Sequence, residues 1–174
     1  MEILTTIPVR LIKRRQLMRQ LYLAMFICAY MLIDSDVWAM DWRGITPLHS
    51  TRTDVERILG VKTSGKSYDQ FIIDGDRVSV LFSTTRCEGE NPRGYNVPLG
   101  TVLEIIVFPK KVIPISSLDL DMNTFKLVYT DSEGELSYEN NEDGLYITAI
   151  SGQVRAFTYG RASKDTQLLC QSKN

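Results

Sequence analysis

One histidine and three cysteines are the strongest nucleophiles and soft metal ligands in this 174-residue chain. His49 adjoins Ser50, but neighbouring side chains in an extended segment point apart. A triad also needs a base oriented by a third group, which linear position does not supply. His49 therefore reads as a loop residue ahead of a helix. One histidine with Cys87 and Cys170 does not complete the usual four-ligand zinc shell. Asp119-Leu120-Asp121-Met122-Asn123 opens like a calcium loop. Its sixth and twelfth positions call for Gly and Glu and hold Thr124 and Thr130. The alternation of Leu118, Leu120 and Met122 fits a half-buried edge better. Gly65-Lys66-Ser67 matches the end of a phosphate loop, but Gly60 is read as out of step with it, and the run leads into an expected strand, where such a loop opens a helix. No spacing singles out two carboxylates for glycoside hydrolysis. No metal and no cofactor are expected.

The cysteines are better read through export. Residues 21–33 are uncharged and apolar. As a helix they would reach only about 20 Å, against a bilayer core about 30 Å thick. The run fits the apolar core of a secretory signal. Arg10, Lys13, Arg14, Arg15 and Arg19 precede it, and Val37-Trp38-Ala39 follows with short side chains at −3 and −1. Residues 1–39 are expected to be a signal peptide cleaved after Ala39, with 40–174 as a single domain. Translation from Met18 would make that signal more compact. Ile27 before Cys28 breaks the lipoprotein pattern. Cys28 leaves with the signal, and Cys87 and Cys170 remain as a pair. In an exported chain that pair reads as a disulfide; its rival is a reactive thiol at Cys87, beside Arg86 but opposed by Glu88 and Glu90.

Residues 1–39 hold 5 of the 20 basic and 3 of the 21 acidic residues, which leaves the remainder 15 basic, 18 acidic and net −3. No basic patch calls for nucleic acid, and no like-charge block suggests a tail. Membrane contact is expected only through the signal segment before its cleavage.

The elements follow from pattern. Thr53-Asp54-Val55-Glu56 has the form of a capping box, and Ser50 or Thr51 offers an earlier start. Val55, Ile58 and Leu59 share a face, and Gly60 supplies a left-handed stop. Strands are expected at 67–73, 77–84, 101–109, 125–130, 135–140, 144–150 and 153–160. Asp74-Gly75 makes the first hairpin. The strand at 101–109 is apolar enough to be central and covered on both faces or nearly so. Residues 85–100 have no period and form a long loop that offers Arg93, Tyr95 and Asn96. Trp42 is either a core cover or a contact residue. The fold class is α+β: a twisted antiparallel sheet with one or two short helices on one face. Gly100-Thr101-Val102 and Gly152-Gln153-Val154 each open a strand after an acidic-Gly turn. They suggest two degenerate helix-plus-meander repeats.

The Thr51, Val55, Leu59 and Gly60 pattern, followed by a Tyr-bearing strand and a hairpin, resembles the small envelope domains of the SmpA/OmlA type. It covers about residues 50–83, and the lipidated cysteine of those proteins is missing. Doubled, the layout is similar to that of the secreted β-lactamase-inhibitor proteins, a resemblance that implies architecture. WRGITPLHSTRTDVERILG (42–60) resembles the start of uncharacterised exported bacterial proteins, which also end in Tyr-Gly, a polar stretch and a late Cys, as Tyr159-Gly160 and Cys170 do here.

Tyr and Arg are the residue types that carry interface energy, and a stapled loop bearing them is a contact surface. The expected role is an exported, non-catalytic module, periplasmic or extracellular, that binds an unknown protein or envelope component through Arg93, Tyr95, Asn96 and Trp42. The alternatives are a secreted inhibitor of a hydrolase and a secreted hydrolase whose site the sequence does not mark.

Overall fold

The structure is a computed structural model. It describes residues 40–87, 94–129 and 135–171. The expected signal peptide, Arg93 and the turn at 131–134 lie outside the described residues. Helix α1 (Arg52–Leu59) begins at Thr51, not at Thr53. The Asp54 Oδ2 accepts from the Thr51 backbone N–H at 2.9 Å, and the Thr51 hydroxyl accepts from the Asp54 N–H at 3.4 Å. The start is set from outside the helix. Thr51 bridges Thr101, and the Arg52 N–H donates to the Gly100 carbonyl at 3.0 Å. Glu56, expected to reach back to the cap, instead accepts from the Thr63 N–H and hydroxyl at 2.9 and 2.7 Å. Gly60 takes the left-handed conformation expected of it, with φ of 66°. A hydrogen bond from Arg57, then one from the Thr51 backbone, holds the Asp54 carboxyl down at about 2.

Seven strands form one antiparallel sheet: β1 (Tyr68–Ile73), β2 (Asp76–Phe82), β3 (Val102–Phe108), β4 (Lys126–Tyr129), β5 (Glu135–Asn140), β6 (Leu145–Ile150) and β7 (Gln153–Tyr159). Their order is β1-β2-β3-β7-β6-β5-β4. Two meanders thus meet through their last strands, with Ile105 opposite Tyr159 and Val107 opposite Phe157. Asp74 and Gly75 both have positive φ, 54° and 94°, as a tight hairpin between right-twisted strands requires. Gly144 is needed for a different reason: a Cβ there would stand 2.6 Å from the Gly160 carbonyl oxygen. Only glycine lets the β5–β6 turn lie against the end of β7.

Both hydrophobic clusters sit on one face of the sheet. The first joins Ile45, Val55, Val78, Val80, Phe82, Val102, Ile105 and Val107, with Trp42, Ile58 and Leu59 packed around it. A register shift between Leu81 and Phe82 lets Val102 join Ile105 on the core face in spite of their odd spacing. The second joins Phe125, Leu145, Ile147 and Val154 and is covered by Ile113, Ile115, Leu118 and Leu120. That cover is an irregular segment with one 3-10 turn, Ile115–Ser117, rather than a second α-helix. β3 lies inside the sheet, fully covered on one face and partly covered on the other. Val102, Ile105 and Val107 are buried, while Leu103, Glu104, Ile106 and Phe108 are half-buried.

The polar tail folds further than its composition suggests. Ser163–Leu168 is a 3-10 helix, and its Ser163 N–H and hydroxyl donate to the Asn141 carbonyl at 2.9 and 2.8 Å. Asp165 is buried, with Oδ1 3.0 Å from His49 Nε2. Its other oxygen meets no partner among the described residues.

Candidate functional site: a stapled loop beside an open sheet face

The long loop after β2 is fastened at its base and at its far side. At the base, the Ser83 hydroxyl donates to the Pro98 carbonyl at 2.7 Å and accepts from the Thr101 N–H at 3.0 Å. On the far side, the Asn96 N–H donates to the Leu168 carbonyl at 2.7 Å and the Cys170 N–H to the Gly94 carbonyl at 3.0 Å. Tyr95 and Leu169 face each other across this short antiparallel bridge. Cys87 and Cys170 are joined in a disulfide, Cα to Cα 5.4 Å apart. Neither sulfur is a thiol, which removes the nucleophile that the rival reading needed.

The loop stands beside the sheet face that carries neither core cluster. Register places three rows there on the first meander: Tyr68–Leu81–Glu104, Gln70–Ser79–Ile106 and Ile72–Arg77–Phe108. The middle row continues through Thr158, Tyr146 and Glu139 to Lys126. Ser79 is shielded by the Tyr68 hydroxyl at 3.1 Å and the Gln70 amide at 3.3 Å. Tyr68 and Leu81 remain exposed. An open cleft of about 240 Å³ lies between face and loop, lined by Ser67, Leu81, Ser83, Thr84, Tyr95 and Leu103 among others.

Next to this cleft is Glu104, an acid inside the apolar strand Val-Leu-Glu-Ile-Ile-Val-Phe. Burial pushes its carboxyl above the ordinary value, because a half-desolvated carboxylate loses hydration that nothing replaces. Among the described residues it has no hydrogen bond or ion pair. Tyr146 lies in the same neighbourhood. Burial raises its hydroxyl chiefly, Arg161 opposes, and Glu139, Tyr95 and Glu104 add to the rise. Its ring passes over Gly160, 3.5 Å from where a Cβ would be, and its hydroxyl donates to Asn141 Oδ1 at 3.0 Å.

Of the residues expected to bind, Tyr95 is half-buried at the cleft and Asn96 is exposed beside it. Arg93 lies outside the described residues. Trp42 packs against the first core cluster on the other face, with the Arg43 guanidinium 5.3 Å from its ring centre. Sequence reasoning passed over Glu104 and Tyr146. The lone acid in an apolar strand was the available signal. It also discounted a spacing: Gly60 stands five residues before Gly65-Lys66-Ser67, as a phosphate loop requires. The order of elements decides against a cradle. Gly60 ends a helix and Ser67 leads into β1. Among the described residues no group of three His, Cys, Asp or Glu could hold a metal ion, and no helix there is long and apolar enough to cross a membrane.

No family model matches the chain, and no curated protein matches it either. Among solved structures, it is similar to a DUF4309 family protein (YjgB) from Bacillus subtilis subsp. subtilis str. 168, at 13% identity over 71% of this chain and 87% of that one, with a TM-score of 0.47. The resemblances to envelope domains and inhibitor proteins thus gain no support from any family model.

Proposed function

We propose that this chain is an exported, non-catalytic module that binds another protein or an envelope component through the open sheet face beside Tyr95. Its two meanders are read as degenerate repeats whose shared sheet presents that face. Export is supported by the Cys87–Cys170 disulfide, since such bonds persist in oxidising compartments. The observation that carries the binding reading is Glu104: a half-buried carboxylate, unpartnered among the described residues, and the cross-strand neighbour of Leu81, which lines the cleft with Tyr95. Keeping it ionised without a partner costs stability, and a cationic or hydrogen-bonding group of a bound partner would offset that cost. Buried groups of this kind contribute specificity, because a partner lacking the matching group leaves them unpaired.

The test is site-specific photo-crosslinking in the native host. A crosslinker at Tyr95 is expected to yield a discrete adduct that Glu104→Gln weakens, whereas one at Trp42, on the opposite face, yields none. Equal adducts from both positions, or an adduct indifferent to Glu104, would sink this reading. If the captured protein is a hydrolase that the module slows, the reading sharpens to inhibition.

A further inference from the structure

We propose that a second surface, the sheet corner carrying Ile72, Arg77, Phe108, Lys110, Lys111 and Val112, docks on an anionic lipid bilayer. This corner is separate from the Tyr95 cleft. It lies at the β1–β2 hairpin end of the sheet, whereas the cleft is lined by residues at the opposite ends of those strands. Ile72, Arg77 and Phe108 form one cross-strand row, and the chain leaving that row continues through Lys110, Lys111 and Val112.

Two observations point to a bilayer. The first is exposure of apolar tips: Ile72 is 70% exposed and Val112 68%, the two most exposed large hydrophobic residues described. A single exposed apolar residue is ordinary, but these two flank a basic cluster. The second is charge complementarity. Arg43, Arg77, Lys110 and Lys111 outnumber Asp74 and Asp76 at this corner, in a chain whose residues 40–174 are net negative. Both acids are already engaged, Asp74 by Arg43 and Asp76 as acceptor of the Lys110 N–H at 2.9 Å. Arg77, Lys110 and Lys111 are exposed, and because Asp76 keeps its charge when it accepts a backbone N–H, the corner carries a net charge of +2, four cations less two acids.

The geometry holds these groups in place. The Arg77 guanidinium stacks 4.2 Å from the centre of the Phe108 ring, which keeps a weakly hydrated cation against an apolar surface. The Lys110 stem lies across the hairpin, where a Cβ on Gly75 would stand 2.9 Å from its Cδ. The result is an apolar pair set among fixed cations, the combination that enters an interfacial layer while pairing with lipid phosphates. A bare phosphate would use the cations and leave Ile72 and Val112 in water.

The experiment places an environment-sensitive fluorophore on Val112→Cys, and for comparison on Lys66→Cys at the opposite end of β1, in the full chain. Each is mixed with vesicles of phosphatidylcholine alone or with added phosphatidylglycerol, carrying a lipid-borne quencher. The label at 112 is expected to be quenched in phosphatidylglycerol vesicles only, and the label at 66 in neither. Because the readout is local, tethering through residues 1–39 does not mimic it. Lys110→Gln with Lys111→Gln should lower the lipid affinity read at 112 by roughly twenty-five-fold, at about fivefold per charge. Ile72→Ser should lower it further. Quenching at 66 equal to that at 112, or quenching unchanged by the lysine variants, would overturn the proposal. So would full competition by soluble glycerol phosphate, which would make the corner a headgroup site and not a bilayer surface.

Discussion

The two meanders share one sheet and differ in what covers them. The first lies under α1, a capped helix, and six side chains of its cluster are entirely out of solvent. The second lies under an irregular segment, and its Phe125 and Leu145 keep 9% and 8% exposure. Its outer strand β4 leaves Leu127 and Val128 exposed. A helix presents a continuous apolar stripe to a sheet; a segment with one 3-10 turn presents separate side chains. The first meander is therefore the anchor of the fold. The second is the half whose local openings should come first.

Truncating the matched aromatics tests this most severely. Phe82→Ala should cost about 3–5 kcal/mol, the usual loss for a fully buried ring, and Phe125→Ala clearly less. Denaturant unfolding of both variants decides it, and equal losses would erase the distinction. The disulfide comes next, because it ties the loop after β2 to the tail after β7. Replacing Cys87 and Cys170 by Ser removes a closure of 83 residues. The chain-entropy model gives roughly 4–5 kcal/mol as an upper figure and observed losses are commonly about 2–5. Hydrogen exchange should show the loss first at residues 94–96 and 163–170, while β1 and β2 stay protected.

A smaller effect is expected at the helix cap. Thr51→Ala should cost about 1 kcal/mol and act on the first meander alone. The Asp54 carboxyl, held at about 2, contributes stability that is full above its unfolded range near pH 4 and is lost as pH falls through about 2. Acid titration of Asp54→Asn should lack that component. The smallest change has the opposite sign. Glu104 has a raised folded-state pKa, so it lowers stability as pH rises from the ordinary carboxylate range through the raised value. Glu104→Gln should stabilise the fold slightly near neutral pH, and this gain should vanish in acid, where both side chains are neutral. A destabilised Glu104→Gln would mean that the carboxylate is already satisfied in the free protein, which would remove the main support for a partner at that face.

Local pattern determined a good deal by itself. All seven strands stand within two residues of where alternation and turn residues put them, because a strand half-covered on one face must alternate and must be interrupted by residues such as Asp74-Gly75. Gly60 ends its helix for an equally local reason, since its backbone enters a region that L side chains avoid. The pairing of Cys87 with Cys170 followed from there being two cysteines once Cys28 is set aside. Tertiary structure decided what depends on separations of tens of residues. It chose Thr51 over Thr53 and Ser50 among the helix starts the sequence offered, with contacts to Gly100 and Thr101. It paired His49 with Asp165, 116 residues away. It joined the meanders through β3 and β7, and so settled which sheet face is covered and which is open. Glu104 sits in an apolar strand in either view. Only the assembled sheet, by burying it without a partner among the described residues, turns that acid into a candidate contact, because the cost of desolvating a charge depends on neighbours from other parts of the chain.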